Sequence, residues 1–111
     1  MRVVLHPDAE AELVALPSAE AVAMQHGIEK LRAFGDLLGY PHSSQVKGAS
    51  ALRELRPRAG RSPWRAFYRR RGDTLVLAAI GPEATVDRQG FRRAVQAAED
   101  RLAALEREEQ Q

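Results

Sequence analysis

The chain has no cysteine, which excludes disulfides, thiolate metal sites and cysteine nucleophiles. It has no apolar run approaching the length of a membrane span. Met1 to Leu5 leads straight into His6-Pro7-Asp8, without the apolar core of a signal peptide. A cytoplasmic protein with no membrane partner is expected. Asp and Glu do not cluster at metal-ligand spacing, so neither a metal nor another cofactor is expected. Acidic residues are almost absent from one stretch. Residues 41 to 72 hold Lys47, Arg53, Arg56, Arg58, Arg61, Arg65, Arg69, Arg70 and Arg71 against Glu54 alone. The outer thirds are acidic or near neutral, so the net charge of +2 conceals a concentrated basic patch. Hydrophobic residues at 44% fit a globular chain, and 111 residues fit one domain over 1–111.

Eight of those nine bases are arginine, with Trp64, Phe67 and Tyr68 among them. The guanidinium fork binds phosphate through two parallel hydrogen bonds and stacks on bases and rings. This is the electrostatic footprint of a surface facing nucleic acid. Two plainer alternatives are strands with solvated charges and a surface that receives an acidic protein partner.

Hydrophobic periodicity supplies the elements. Arg2 to Leu5 reads as a short strand, ended by His6-Pro7. Asp8 is placed to cap a helix over 9–16, which Pro17-Ser18 breaks. Ser18 is placed to cap a longer helix, with Ala21, Met24, Ile28, Leu31, Gly35 and Leu38 on one face. Residues 42–50 read as a loop. Strands follow over about 51–57, 63–71 and 74–80, joined by Ala59-Gly60-Arg61-Ser62 and by Gly72-Asp73, a tight hairpin. The third is almost wholly apolar and reads as a central strand buried on both faces. Asp87 caps a last helix carrying Phe91, Val95, Ala98, Leu102 and Leu105, and the tail 106–111 is expected to fray. The class is α+β, in the order β-α-α-β-β-β-α. A small twisted, mainly antiparallel sheet is packed by an N-terminal helical hairpin and a C-terminal helix.

Leu52-Arg53-Glu54-Leu55-Arg56, a glycine-containing turn and Trp64-Arg65-Ala66-Phe67-Tyr68 are similar to the "ELR … YRxxY" strand pair of the RelE/HigB toxins of type II toxin–antitoxin systems. The likeness is to the HigB-like branch of the RelE/ParE superfamily, where Glu54 is normal; the RelE branch has lysine there. Lys47-Gly48 resembles the family's lysine-leucine step before that hairpin. The resemblance implies the RelE-like microbial RNase fold. It implies a metal-free mRNA interferase, commonly ribosome-dependent, held inactive by an antitoxin, here expected to be a helix-turn-helix protein. In such chemistry the 2′-hydroxyl attacks the neighbouring phosphorus, cations stabilise the phosphorane, and acid and base groups move the protons.

Carried over residue by residue, Arg56 and Arg65 match the two family arginines that clamp the scissile phosphate. Arg58 and Arg61, beside the turn, are candidates for flanking phosphates, and Lys47, Arg53 and Arg69 extend the RNA-binding set. Trp64, Tyr68 and Phe91 are candidate stacking groups, weighed against simple packing. The chain departs from the pattern in two places. Gly81 to Val86 stands where relatives carry lysines or arginines. Phe91 stands where some carry a tyrosine, and it can stack but cannot move a proton. His42, in the loop before the basic hairpin, is the remaining titrating candidate for the catalytic set. Glu83 as a base lacks support from the pattern. One acid, Glu54, is too few to neutralise the arginines, so an acidic, apolar antitoxin segment is expected to cover them. The rival class is a non-catalytic ParE-like toxin or binding module on the same fold, which the thin acid–base inventory favours.

Overall fold

The computed structural model describes residues 1–110. The chain is α+β, with a mixed five-stranded sheet in the order β1-β5-β4-β3-β2 and three α-helices. The elements are β1 (Arg2–Leu5), α1 (Pro7–Val14), α2 (Ser18–Phe34), β2 (Ser43–Gln45), β3 (Arg53–Leu55), β4 (Trp64–Arg71), β5 (Thr74–Pro82) and α3 (Arg88–Glu109). β1 runs parallel to β5, and the other pairings are antiparallel. Among the described residues no helix is long and apolar enough to cross a membrane.

Local chemistry accounts for most boundaries. Pro7 occupies the first turn of α1, where its missing N–H costs nothing. The cap is His6, whose Nδ1 accepts from the Asp8 backbone N–H at 3.1 Å, so Asp8 lies inside the helix it was expected to cap. Ser18 is likewise inside α2, preceded by Pro17 without a side-chain cap. Asp87 caps α3 as expected, accepting from Gly90 N–H at 2.9 Å. β2 falls within the stretch read as a loop. Its Ser-Ser-Gln sequence has no apolar period, and it is extended because it pairs with β3 through Ser43↔Leu55, Ser44↔Glu54 and Gln45↔Arg53.

The apolar strand β5 is second in the sheet, between β1 and β4, and both its faces are covered. On one face Leu75, Leu77 and Ile80 pack with Leu13, Met24, Ile28 and Leu31 of α1 and α2, together with Leu55, Ala66 and Tyr68. On the other, Val76, Ala78 and Ala79 pack with Ala94, Ala98 and Leu102 of α3, together with Leu52 and Phe67. A register shift opposite Phe67 and Tyr68 lets Ala78 and Ala79 both serve the α3 side. The helix does not fray at 106: it runs to Glu109, which pairs with Arg71 at 2.5 Å. Gln111, the end of the expected frayed tail, lies outside the described residues.

Candidate functional site

α3 packs mainly on β5 and touches β4. Beside it, over β2 and β3, lies a concavity of about 510 Å³ lined by residues that include Ser44, Lys47, Glu54, Arg56, Arg65, Glu83, Thr85 and Phe91. Strand alternation puts Arg65, Phe67 and Arg69 on the α3 side of β4, while Ala66 and Tyr68 point to the α2 side.

Glu54 organises the floor. Its Oε1 accepts from Ser44 Oγ at 3.2 Å and from Arg56 Nη1 at 3.0 Å, and stands 3.8 Å from Arg65 Nε. Arg65 is only 2% exposed. Its Nη1 donates to the carbonyls of Ser62 (2.6 Å) and Trp64 (3.0 Å), and its Nη2 to Gly60 O (3.2 Å) and Glu83 Oε2 (2.7 Å). Its Nε is buried without a hydrogen-bond partner. Burial holds this guanidinium below the usual arginine range, and Arg56 pushes the same way; Glu54 and Glu83 pull it back. Arg56 is held by Pro41 O at 3.0 Å and lies over the Tyr40 ring, 5.2 Å from its centroid.

Gly60 makes this packing possible. Its φ is +92°, and a Cβ there would meet Arg56 Nη2 at 2.6 Å. Arg58 and Ala59, both at φ 55°, precede it in the turn Pro57–Gly60. The absent side chain admits one arginine while the carbonyl receives the other. Lys47 is exposed on the rim and makes no ion pair among the described residues. Phe91 is half-buried there, edge-on to Phe67 with centroids 5.4 Å apart.

The concavity therefore gathers Lys47, Arg56, Arg65 and Phe91 from the residues singled out in the sequence. It does not gather the others. His42 lies in a different cleft, against α2, with His26, Lys30, Arg56 and Arg58. Tyr68 is 3% exposed, its hydroxyl 2.5 Å from Ser43 Oγ. It is a core residue and presents no ring to a base. Trp64 is half-buried on the α1–α2 side and lines a cleft with Glu12 and Pro82. Arg53 donates to Ser43 Oγ at 3.0 Å, and Arg61 is exposed with its Nε on Arg58 O.

The expectation that Glu54 alone must answer the arginines fails. Arg58 pairs with Glu20 (2.7 Å), Arg69 with Glu99 (2.9 Å), Arg71 with Glu109 and Arg70 with Asp36. Those acids come from the helices and from the turn after α2, so folding supplies the countercharge that the local sequence lacks. The patch is not a bare cationic face that only a partner could mask. Glu54 and Glu83 line the concavity, and the pattern gave little reason to single them out. The alternation placing Glu54, Arg56 and Arg65 on one face was the available signal for the first. Nothing local signals Glu83, whose partner is 18 residues away.

The arrangement can do two things chemically. Two guanidiniums and a rim lysine can hold a phosphate, and a carboxylate between the guanidiniums can accept a proton from a hydroxyl brought beside it.

No curated protein and no solved structure matches the chain. A protein-family profile, described as phage-derived protein Gp49-like (DUF891), matches residues 11–81. That span covers more than half of the sequence, from within α1 to Gly81 in β5, and includes Lys47, Glu54, Arg56 and Arg65 while leaving out Glu83 and Phe91. On that match the chain belongs to the phage-derived Gp49-like family.

Proposed function

We propose that the chain is one toxin domain of the RelE/HigB kind, the toxin of a type II toxin–antitoxin system, and that it cuts mRNA in the cytoplasm. The family membership supports the toxin reading, and the concavity supports the nuclease. The single observation that carries the chemistry is Glu54 Oε1, held by Arg56 Nη1 and facing Arg65 Nε on one side of the sheet. In this reading Glu54 takes the proton of the attacking 2′-hydroxyl, which the arginine inventory alone left without an acceptor. Arg56 and Arg65 stabilise the phosphorane, which collapses to a 2′,3′-cyclic phosphate as the P–O5′ bond breaks and the leaving 5′-oxygen takes a proton from water, and Lys47 holds a neighbouring phosphate. Phe91 supplies a ring for a base. His42, in the α2 cleft, is not part of this set.

Arg65 already spends its four Nη donors on Glu83 and three carbonyls, and its Nε is buried facing Glu54. A phosphate must displace a carboxylate to reach it. Cleavage therefore relies on a substrate held in line, as an mRNA is in the ribosome. A helix-turn-helix antitoxin encoded alongside is the expected inhibitor.

The test incubates purified protein with bare mRNA and with programmed ribosomes and maps the 5′ ends. Cutting is expected on ribosomes and slow on bare RNA. Glu54→Gln should lower the cutting rate by at least about a hundredfold. The same ion pairing favours a second reading, a non-catalytic ParE-like toxin that blocks a protein target. No cutting in either arm, with growth arrest intact, would select it.

A further inference from the structure

A second surface lies on the other side of the sheet. Helix α2 carries two stripes. One, through Met24, Ile28 and Leu31, is core. The second runs through Ala19, Val22, Ala23, His26, Gly27 and Lys30 at spacings of one, three and four, and forms one wall of a groove. Leu55, Arg56 and Pro57 form the opposite wall. The groove continues past Lys30 and His42 to Phe34, Leu37 and Tyr40.

Two properties of this surface stand together. It is apolar where apolar residues should be hidden: Val22 is 54% exposed, Phe34 56%, Leu37 89% and Tyr40 77%. These are four of the seven exposed large hydrophobics, and all lie along one groove. It is also of one sign. His26, Lys30, His42, Arg56 and Arg58 line it, and no acid does. Of its cations, Arg58 is answered by Glu20 at 2.7 Å, which also accepts from Ser62 Oγ at 2.7 Å, and Arg56 by Glu54 at 3.0 Å, which leaves Lys30 without an ion pair among the described residues.

We infer that this α2 groove is a docking site for an acidic amphipathic helix of a protein partner, its apolar face on Val22, Phe34, Leu37 and Tyr40 and its carboxylates toward Lys30 and His26. A helix is favoured over an extended RNA because Val22 and Leu37 are aliphatic and exposed, and phosphate recognition would leave them in water, while the Tyr40 ring already carries the Arg56 guanidinium. The inference rests on the toxin reading only for naming the partner, which would then be the antitoxin. It moves the partner's contact from the arginine strands to α2.

The test needs no knowledge of the partner. Three probes are titrated against the full chain by fluorescence anisotropy. One is a synthetic 18-residue helical peptide with leucines at three–four spacing and glutamates on the other faces. The second is the same peptide with lysine in place of glutamate, and the third is a single-stranded RNA oligonucleotide. The glutamate peptide should bind, weaken as salt rises, and lose about tenfold or more in affinity for Val22→Asp and for Lys30→Glu. Both positions are exposed, so thermal melts should show both variants folded. Equal binding of the two peptides, no binding of the glutamate peptide, or wild-type affinity in both variants would overturn the proposal. An RNA that binds more tightly than the peptide and loses affinity with Lys30→Glu would assign the groove to nucleic acid and overturn it too. Growth arrest by the unmodified chain is scored separately, so failure of the toxin reading is distinguishable from failure of the groove.

Discussion

The two ends of β4 carry the same side chain and use it differently. At its end, Arg69, Arg70 and Arg71 each hold a single acid from another element, Glu99, Asp36 and Glu109. At its start, Arg65 lies buried between two carboxylates, and Arg56, just after β3, shares one of them. The far end joins the sheet to α3 and to the turn after α2. The near end borders a concavity beside Lys47, which makes no ion pair among the described residues. A count of arginines cannot tell these apart. What distinguishes them is whether the partner acid closes the surface or stands inside a hollow.

The sharpest way to break the comparison is to truncate one arginine at each end. Arg65→Ala leaves Glu83 and Glu54 without their buried cation and three carbonyls without a donor. It should cost about 3 kcal/mol in urea unfolding and abolish growth arrest. Arg69→Ala removes a half-buried pair with Glu99 and should cost about 1 kcal/mol, with arrest retained per folded molecule. Arg70→Ala removes a pair whose side chains are 57% and 47% exposed and should change stability by less than about 0.5 kcal/mol. An Arg69→Ala that destabilises more than Arg65→Ala would reverse the assignment.

A smaller effect separates the turn beside the site from the far end. Arg58, followed by Ser62, holds the Glu20 carboxyl below the usual carboxylate range. The folded pKa is depressed, so the stability this pair gives is present above the ordinary value of about 4.3 and is lost as pH falls through the lower folded value. The difference in urea midpoint between the unmodified chain and Glu20→Gln should therefore be constant near neutrality and close below about pH 4. A difference that grows on acidification would contradict the pairing.

Much of the fold was legible because its signals are local. The helical stripe through Met24, Ile28 and Leu31, the Gly72-Asp73 hairpin and the Asp87 cap all lie within a few residues of what they determine. β2 was not legible, since Ser43-Ser44-Gln45 becomes a strand only through its partner β3. His6 as the cap of α1 was hidden because Asp8 carries the commoner capping side chain. Of the candidate site, the matched strand pair pointed to Arg56 and Arg65, which both line the concavity. Their engagement was not, because Glu83, Glu99 and Asp36 lie 18, 30 and 34 residues from the arginines they meet. Tyr68 was misjudged as a stacking candidate for a related reason: strand alternation turns it to the α2 core, while its neighbour Phe67 faces α3.

The most direct test of the account compares growth arrest by two double variants expressed to equal folded levels. Lys47→Ala with Arg56→Ala empties the rim and floor of the concavity, and Arg69→Ala with Arg70→Ala removes the same number of cations from the far end. The account predicts that the first pair abolishes arrest and the second leaves it intact. Arrest that survives the first pair, or that falls equally with both, would contradict the placement of the site.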